Sequence, residues 1–133
     1  MRGIKTLLVA GLFGLFSTGV SMAQDMNPEG IWQPANKESR YKITYCGDDN
    51  TKLCGLVHWI QPEHQNAENT SLLGTYLFSE LPRRGENKWR GKITLRGHTI
   101  RGNVTQLSPD KLKVDACLLI WCEEVTLDKF SDL

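Results

Sequence analysis

The sequence predicts an all-β domain behind an N-terminal signal peptide, in the form of an antiparallel up-and-down β-barrel of about eight strands. Three observations support this prediction: an apolar run at the N-terminus, short alternating segments bounded by Gly, Asn, Asp and Pro, and four cysteines in two close pairs. A chain of 133 residues, 40% of them hydrophobic, has room for one domain. We place that domain at residues 24–133.

The first 23 residues have the features of an export signal. Arg2 and Lys5 precede an apolar run over residues 6–20, and a small-x-small pattern ends at Ala23. The run is shorter than the roughly 20 apolar residues that a membrane-spanning helix needs. We therefore expect residues 1–23 to be a signal peptide cleaved after Ala23, no membrane span, and a mature protein that is periplasmic or secreted.

Eight segments of the remaining chain alternate between apolar and polar residues, as half-buried strands do. Gly97-His98 and Ser108-Pro109-Asp110 are the clearest turns between them. Residues 61–73 interrupt the regular spacing with a polar loop that has room for a turn of helix. The predicted strands are residues 30–33, 41–46, 54–60, 75–79, 88–95, 99–107, 111–117 and 123–130.

The strands have one apolar and one polar side. Leu112, Val114 and Ala116 share one face, whereas Lys111 and Lys113 point the other way. Many short strands with short connections close as a barrel or pack as a sandwich, and we favour the barrel. An eight-stranded barrel is either filled by its own side chains or holds one small ligand, and the sequence leaves both states open.

Two disulfides are expected from the four cysteines, because an even number of cysteines in an exported chain favours pairing in an oxidising compartment. Cys46 and Cys54 flank a turn-rich segment between two strands, and Cys117 and Cys122 enclose the tip of another hairpin. We therefore expect local pairing, Cys46 with Cys54 and Cys117 with Cys122. Neither spacing is C-x-x-C, which disfavours a redox pair or a metal site.

Several short motifs resemble the domain of unknown function 2147 family of small exported bacterial proteins, over about residues 30–130. The motifs are Gly30-Ile31-Trp32, Cys46-Gly47, Leu53-Cys54-Gly55-Leu56-Val57 with Trp59, Trp89-Arg90-Gly91-Lys92-Ile93, and the Cys117/Cys122 pair. The resemblance implies a lipocalin-like barrel, a periplasmic or secreted location and no established enzymatic activity. Leu127-Asp128-Lys129 and the tight turn Arg96-Gly97-His98 depart from the family's pattern.

Gly30-Ile31-Trp32 also resembles the entry strand of lipocalins, in which the tryptophan closes one barrel end beneath a basic residue of the last strand. The resemblance implies these structural positions for Trp32 and Lys129. The four tryptophans, Trp32, Trp59, Trp89 and Trp121, are expected mainly in the core.

A binding site is expected inside the barrel if the interior is open. Tyr41, Ile43 and Tyr45 share a strand face, and together with Trp59 they would line such a cavity. The expected partner is a small apolar or amphipathic ligand.

A basic stretch, residues 83–101, offers a second kind of site, for a component of the cell envelope. Its cations are Arg83, Arg84, Lys88, Arg90, Lys92, Arg96 and Arg101. The whole chain carries 16 basic against 15 acidic residues, so nothing points to a nucleic-acid partner.

No catalytic motif is present in the sequence, and no cofactor or metal is expected. His58, His64 and His98 are the three histidines, and they fall in a strand, a loop and a turn that nothing in the sequence brings together. We expect a monomeric, non-enzymatic binding module. An envelope interaction protein is the alternative, and a hydrolase with an unrecognised site is a third hypothesis.

Overall fold

The computed structural model of the chain describes residues 26–95 and 97–133. The predicted signal peptide, residues 1–23, lies outside the described residues. Nine strands are present within them, with a single 3-10 turn at Pro62–His64 and a one-turn helix α1 at Ala67–Thr70. The strands are β1 Gly30–Pro34, β2 Ser39–Cys46, β3 Lys52–Ile60, β4 Tyr76–Leu81, β5 Arg83–Gly85, β6 Lys88–Leu95, β7 His98–Ser108, β8 Lys111–Leu118 and β9 Trp121–Ser131.

The strands form one antiparallel sheet in the order β4-β3-β2-β1-β9-β8-β7-β6-β5. A pairing between β4 and β6 at Phe78↔Ile93 closes this sheet into a barrel of eight strands. Each strand of the barrel therefore pairs with its neighbours in the chain, and the last strand pairs with the first. The predicted all-β, up-and-down barrel is confirmed.

The predicted strands all occur, with bounds that differ by a few residues. The short strand β5, which pairs with β6 at Arg83↔Trp89, was not predicted, because its sequence Arg-Arg-Gly has no alternation. The strand β9 begins at Trp121 and so reaches closer to the turn than expected. Neither short helical element is long and apolar enough to cross a membrane, and the described residues contain no other helix.

The barrel interior is filled by apolar side chains. Phe78 is almost fully buried, and its ring lies against Gly55 of the neighbouring strand, where a Cβ would stand only 2.7 Å from the Phe78 Cζ atom. A side chain at position 55 would therefore displace the ring. The core cluster comprises Trp32, Ile43, Leu53, Phe78, Leu81, Trp89, Ile93, Val104, Leu112, Val114 and Leu127.

One end of the barrel, the closed end, is sealed by the residues that precede β1. The Trp32 indole Nε1 donates to the Pro28 carbonyl oxygen at 2.9 Å, and the Gln106 side chain donates to the Asn27 carbonyl oxygen at 3.1 Å. Pro28 is itself buried. These contacts place the N-terminal segment across the barrel opening.

The other end, the open end, gathers the connections β1–β2, β3–β4, β6–β7 and β8–β9, because successive strands run in opposite directions. The β8–β9 hairpin projects beyond its neighbours there. Pairing of β8 with β7 ends at Gly102↔Ala116, and pairing of β9 with β1 ends at Pro34↔Leu127. The hairpin continues to Leu118↔Trp121 without a partner strand on either side.

Two disulfides join the expected pairs, Cys46 to Cys54 and Cys117 to Cys122. The first lies toward the closed end, where Cys54 is buried and its Sγ accepts from the Glu80 backbone N–H. The second braces the projecting β8–β9 hairpin, and both of its cysteines are exposed. Two such bonds are typical of proteins that fold outside the reducing cytosol.

Candidate functional site

A cavity of about 390 Å³ occupies the open end. Its floor is the top of the barrel core, formed by Tyr41, Leu77, Leu95 and Val125, which are partly buried and pack against the core cluster. Polar groups from the β1–β2 connection, including Glu38, lie on the rim. We call this space the mouth cavity.

Strand alternation places the floor residues. Side chains two residues apart on a strand point to the same face, so three of the four floor residues lie one step outward from a core residue. Tyr41 follows this rule above Ile43, Leu95 lies above Ile93, and Val125 lies above Leu127. The floor of the mouth cavity is therefore a continuation of the hydrophobic core toward solvent.

A smaller side cavity of about 170 Å³ opens from the mouth cavity, and both are lined by Leu95 and Glu123. Its remaining walls are Ile100 and His98 on one side and Leu118 and Trp121 on the other. The cavity exists because the pairing of β7 with β8 stops at Gly102↔Ala116. Beyond that point the β6–β7 and β8–β9 hairpins separate and leave an apolar gap.

A third cavity of about 190 Å³ lies on the opposite side of the mouth cavity, under the β3–β4 connection. It shares Tyr41 and Leu72 with the mouth cavity and reaches His64, whose Nε2 lies 3.7 Å from the Glu38 carboxylate oxygen. The Ser39 hydroxyl donates to the Tyr41 phenol oxygen at 3.0 Å. The three cavities form one groove across the open end, apolar on the β8–β9 side and polar on the β1–β2 side.

The four residues proposed from sequence to line a binding site are distributed over three environments. Tyr41 lines the mouth cavity. Ile43 is fully buried in the core, and Tyr45 packs its ring 6.4 Å from the Trp89 ring centroid, two residues deeper than Ile43. Trp59 lies under the Arg40 guanidinium, which stands 3.9 Å from its ring centroid and 3.7 Å from that of Phe130.

A bulge explains the position of Trp59. The register between β2 and β3 shifts between Arg40 and Tyr41, so that Tyr41 pairs with Val57 and Arg40 pairs with Trp59. One extra residue on β3 re-aims the side chains that follow it. Trp59 therefore belongs to a stack with Arg40 and Phe130 and does not line the groove.

Trp32 and Lys129 meet at the closed end. The Lys129 Nζ atom lies 5.2 Å from the Trp32 ring centroid, and it also donates to the Asn27 carbonyl oxygen at 3.3 Å. The arrangement is a cation–π contact over a buried indole. It lies at the far end of the barrel from the groove.

Part of the basic stretch forms a charged outer face on β5, β6 and β7, and Arg96 lies outside the described residues. Arg84, Lys88, Arg90, Arg101 and Asn103 line a shallow depression of about 350 Å³. Within the described part of the chain, none of these four cations has a carboxylate oxygen within 4.0 Å. Arg83 belongs elsewhere, because its guanidinium lies 5.7 Å from the Trp89 ring centroid.

The three histidines lie on three different elements of the fold. His58 is exposed on β3, His64 ends the 3-10 turn, and His98 begins β7. Among residues 26–95 and 97–133, no three His, Cys, Asp or Glu side chains are grouped as a metal ion would require. The histidine nearest to a carboxylate is the exposed His64, beside Glu38.

The groove residues Leu95, Ile100, Leu118 and Trp121 were missed by sequence reasoning. Alternation marks them as inward-facing, but it cannot tell where partner strands end. A usable signal was present in the segment Leu118-Leu119-Ile120-Trp121, four apolar residues at a hairpin tip between two cysteines. Hairpin turns favour Asn, Gly and Asp, so the requirements of the turn do not explain these apolar residues.

Comparison with protein families gives a match over residues 30–129 to the family described as "Uncharacterized protein conserved in bacteria (DUF2147)". No curated protein and no solved structure matches the chain.

Proposed function

This chain belongs to the domain of unknown function 2147 family of bacterial proteins, and from that premise we propose that it is a non-enzymatic binding module for a small amphipathic ligand. The site is the groove across the open end of the barrel. The observation that carries the proposal is the side cavity between the two separated hairpins, which continues the mouth cavity into an apolar recess.

The filled core directs a ligand to the groove. Because Trp32, Ile43 and Phe78 occupy the barrel interior, a ligand does not enter the barrel axis as it would in an open barrel. The mouth cavity, at about 390 Å³, has the size of ordinary small-molecule sites. Mainly apolar walls with a few polar groups at one side are the usual composition of such sites.

The two sides of the groove define the ligand's chemistry. An alkyl or aryl group fits between Leu95, Ile100 and Trp121, where the walls offer few hydrogen-bonding atoms. A polar head group then lies near Glu38 and Ser39, where a carboxylate and a hydroxyl favour a ligand that can donate hydrogen bonds. We therefore propose a ligand with one apolar end and one donor-bearing end.

A periplasmic or secreted location fits this function. Two disulfides support a compartment in which thiols are oxidised, and the sequence offers a signal peptide at residues 1–23 for export. In that setting the module acts as a monomer that binds its ligand without converting it.

Native mass spectrometry of the protein recovered from a bacterial periplasm is the first test. We expect a mass above that of the two-disulfide protein, which falls to the apo value on denaturation. N-Phenyl-1-naphthylamine, an apolar dye that fluoresces when it leaves water, then probes the groove. Its fluorescence should rise with the wild-type protein.

The variant Leu95→Trp distinguishes dye binding in the groove from nonspecific adsorption to the protein surface. Leu95 lines both the mouth and the side cavity, so a larger ring there fills the junction and should weaken dye binding about tenfold or more. Leu107→Trp, an equally large change at an exposed leucine outside the groove, is the matched control. Equal dye binding by the two variants, both folded by circular dichroism, would contradict the proposal.

A second candidate function uses the basic face on β5, β6 and β7. The observation that favours it is that Arg84, Lys88, Arg90 and Arg101 share one depression without carboxylate partners among the described residues. Such a face attracts a phosphate- or carboxylate-bearing envelope polymer. Arg90→Glu with Arg101→Glu should abolish retention on immobilised polyphosphate at low salt, whereas unchanged retention would exclude this face.

A further inference from the structure

The exposed apolar side chains of this protein are concentrated at the open end. Leu119 and Ile120, in the turn of the β8–β9 hairpin, are 93% and 101% exposed, and their neighbours Leu118 and Trp121 are about half exposed. Leu72 and Leu73 of the β3–β4 connection and Tyr76, the first residue of β4, are also exposed at the same end. We call the four residues Leu118–Trp121 the apolar tip.

From these observations we infer that the apolar tip inserts into a lipid surface and docks the open end of the barrel on a membrane. The inference does not rest on the proposed ligand, because Leu119 and Ile120 lie outside the groove, although Leu118 and Trp121 also line the side cavity. Contiguous exposed apolar area marks an interaction site, since a monomer rarely keeps such area in water without a function.

The backbone of the turn supports a functional role for its apolar residues. Leu119 has φ of +58°, a left-handed conformation that costs a bulky residue free energy and that Asn or Gly adopts readily. The turn therefore carries leucine at a position where the backbone favours Gly or Asn. The Cys117–Cys122 disulfide holds this turn in place, which reduces the entropy that docking would otherwise cost.

The shape of the apolar tip favours lipid over a protein partner. The tip is convex and projects past the last paired residues, Gly102↔Ala116 and Pro34↔Leu127. The tip has four residues, far fewer than the roughly 20–30 residues that each partner contributes to a stable protein interface. A small convex apolar projection needs no complementary pocket in order to enter hydrocarbon.

The residue order along the hairpin fits a membrane interface. Leu119 and Ile120 form the extreme end, and Trp121 follows on the strand, at the level where an indole meets the head-group region. Further back, the outer faces carry Lys92 opposite Arg101 and Asp115 opposite Glu124. Because these charges balance, insertion should depend on apolar contact and only weakly on anionic lipid or salt.

Vesicle binding tests the inference. The full chain is expressed, and the exported form is used after mass spectrometry has located its N-terminus, because a retained apolar run at residues 6–20 would bind vesicles by itself. Wild-type protein should float with phosphatidylcholine vesicles and equally with mixed phosphatidylethanolamine and phosphatidylglycerol vesicles. A blue shift of tryptophan emission that is lost in Trp121→Phe locates the contact at the tip.

The decisive variant replaces Leu119 by Asn and Ile120 by Gly. Asn adopts the positive φ at position 119 more readily than Leu does, and Gly is tolerated in hairpin turns, so the L119N/I120G protein should be about as stable as wild type. Its vesicle partition coefficient should nevertheless fall at least about tenfold. Leu107→Ser, a change at an exposed leucine of the opposite end, is the control and should bind vesicles as wild type does.

Three results would overturn the inference. They are absence of vesicle binding by wild type, unchanged binding by L119N/I120G, and sedimentation showing that the tip drives self-association instead of lipid binding. Neither Leu119 nor Ile120 lines the groove, so dye uptake by L119N/I120G should stay at the wild-type level. A failure of the lipid inference is therefore distinguishable from a failure of the proposed ligand site.

Discussion

The two ends of the barrel differ in how far they bury a tryptophan. At the closed end, Trp32 is fully buried, its indole N–H is hydrogen-bonded, and Lys129 covers the ring. At the open end, Trp121 is 56% exposed beside two turn residues that have almost no contact with the rest of the chain. The difference teaches that one tryptophan is buried as part of the closed end, whereas the other is left half exposed at the end where we propose recognition.

The contrast between the two ends predicts that the two tryptophans contribute unequally to the free energy of unfolding. Trp32→Ala should lower the free energy of unfolding by about 3–5 kcal/mol, because it leaves a large cavity and removes the hydrogen bond to the Pro28 carbonyl. Trp121→Ala should lower it by only about 1–2 kcal/mol, because half of the residue is already in water. Urea unfolding followed by circular dichroism measures both, and similar losses would contradict the assignment of the two ends.

The two disulfides give the next largest effect. Each closes a short loop, so replacing either pair by alanine should cost about 2–3 kcal/mol by chain entropy. The loss should be greater for Cys46 and Cys54, because Cys54 is also buried and accepts from the Glu80 N–H. Thermal unfolding without reductant provides the comparison, and a greater loss at Cys117 and Cys122 would show that the tip supports the barrel.

A smaller effect is expected from the cation above Trp32. Lys129→Met keeps most of the side-chain volume but removes the charge and the hydrogen bond to the Asn27 carbonyl, which should cost about 1 kcal/mol. Lys111→Met is the control, because Lys111 pairs with Asp128 on the exposed barrel surface, where an ion pair contributes little. If the two variants lost equal free energy of unfolding in chemical denaturation, the contact between Lys129 and Trp32 would stabilise the fold no more than the surface ion pair does.

The smallest effect concerns the β2–β3 turn at the closed end. The side-chain and backbone hydrogen bonds from Thr51 lower the pKa of Asp49 below its usual value of 3.8. A lowered pKa stabilises the fold above pH 3.8, and that contribution is lost as the pH falls through the lowered value. Asp49→Asn should therefore reduce the melting temperature slightly at neutral pH, and the difference from wild type should vanish in strong acid.

Alternation and turn residues were sufficient to predict the strands. The face shared by Leu112, Val114 and Ala116 is buried as expected, because a period of two is a local property of the backbone. Trp59 could not be placed in this way. A single bulge beside Tyr41 re-aims its side chain, and bulges leave no clear trace in the alternation.

The candidate site was predictable only in small part. Tyr41 was recognised as an inward-facing aromatic and lines the groove, whereas Ile43 lies one layer too deep. Depth along the barrel axis depends on which strands continue beside a residue. That information is contained in the register between strands distant in sequence, such as Pro34↔Leu127, and not in either strand alone.

By itself, the sequence determined the all-β class, the strand segments, the local pairing of Cys46 with Cys54 and of Cys117 with Cys122, and the resemblance to a bacterial family. These are properties of short spacings, which a chain carries before it folds. Only the tertiary structure decided that the core is filled, that a groove opens where β7 and β8 separate, and that Leu119 and Ile120 project into solvent. The physical reason is that burial depends on where partner strands begin and end, and closure of the barrel fixes those limits.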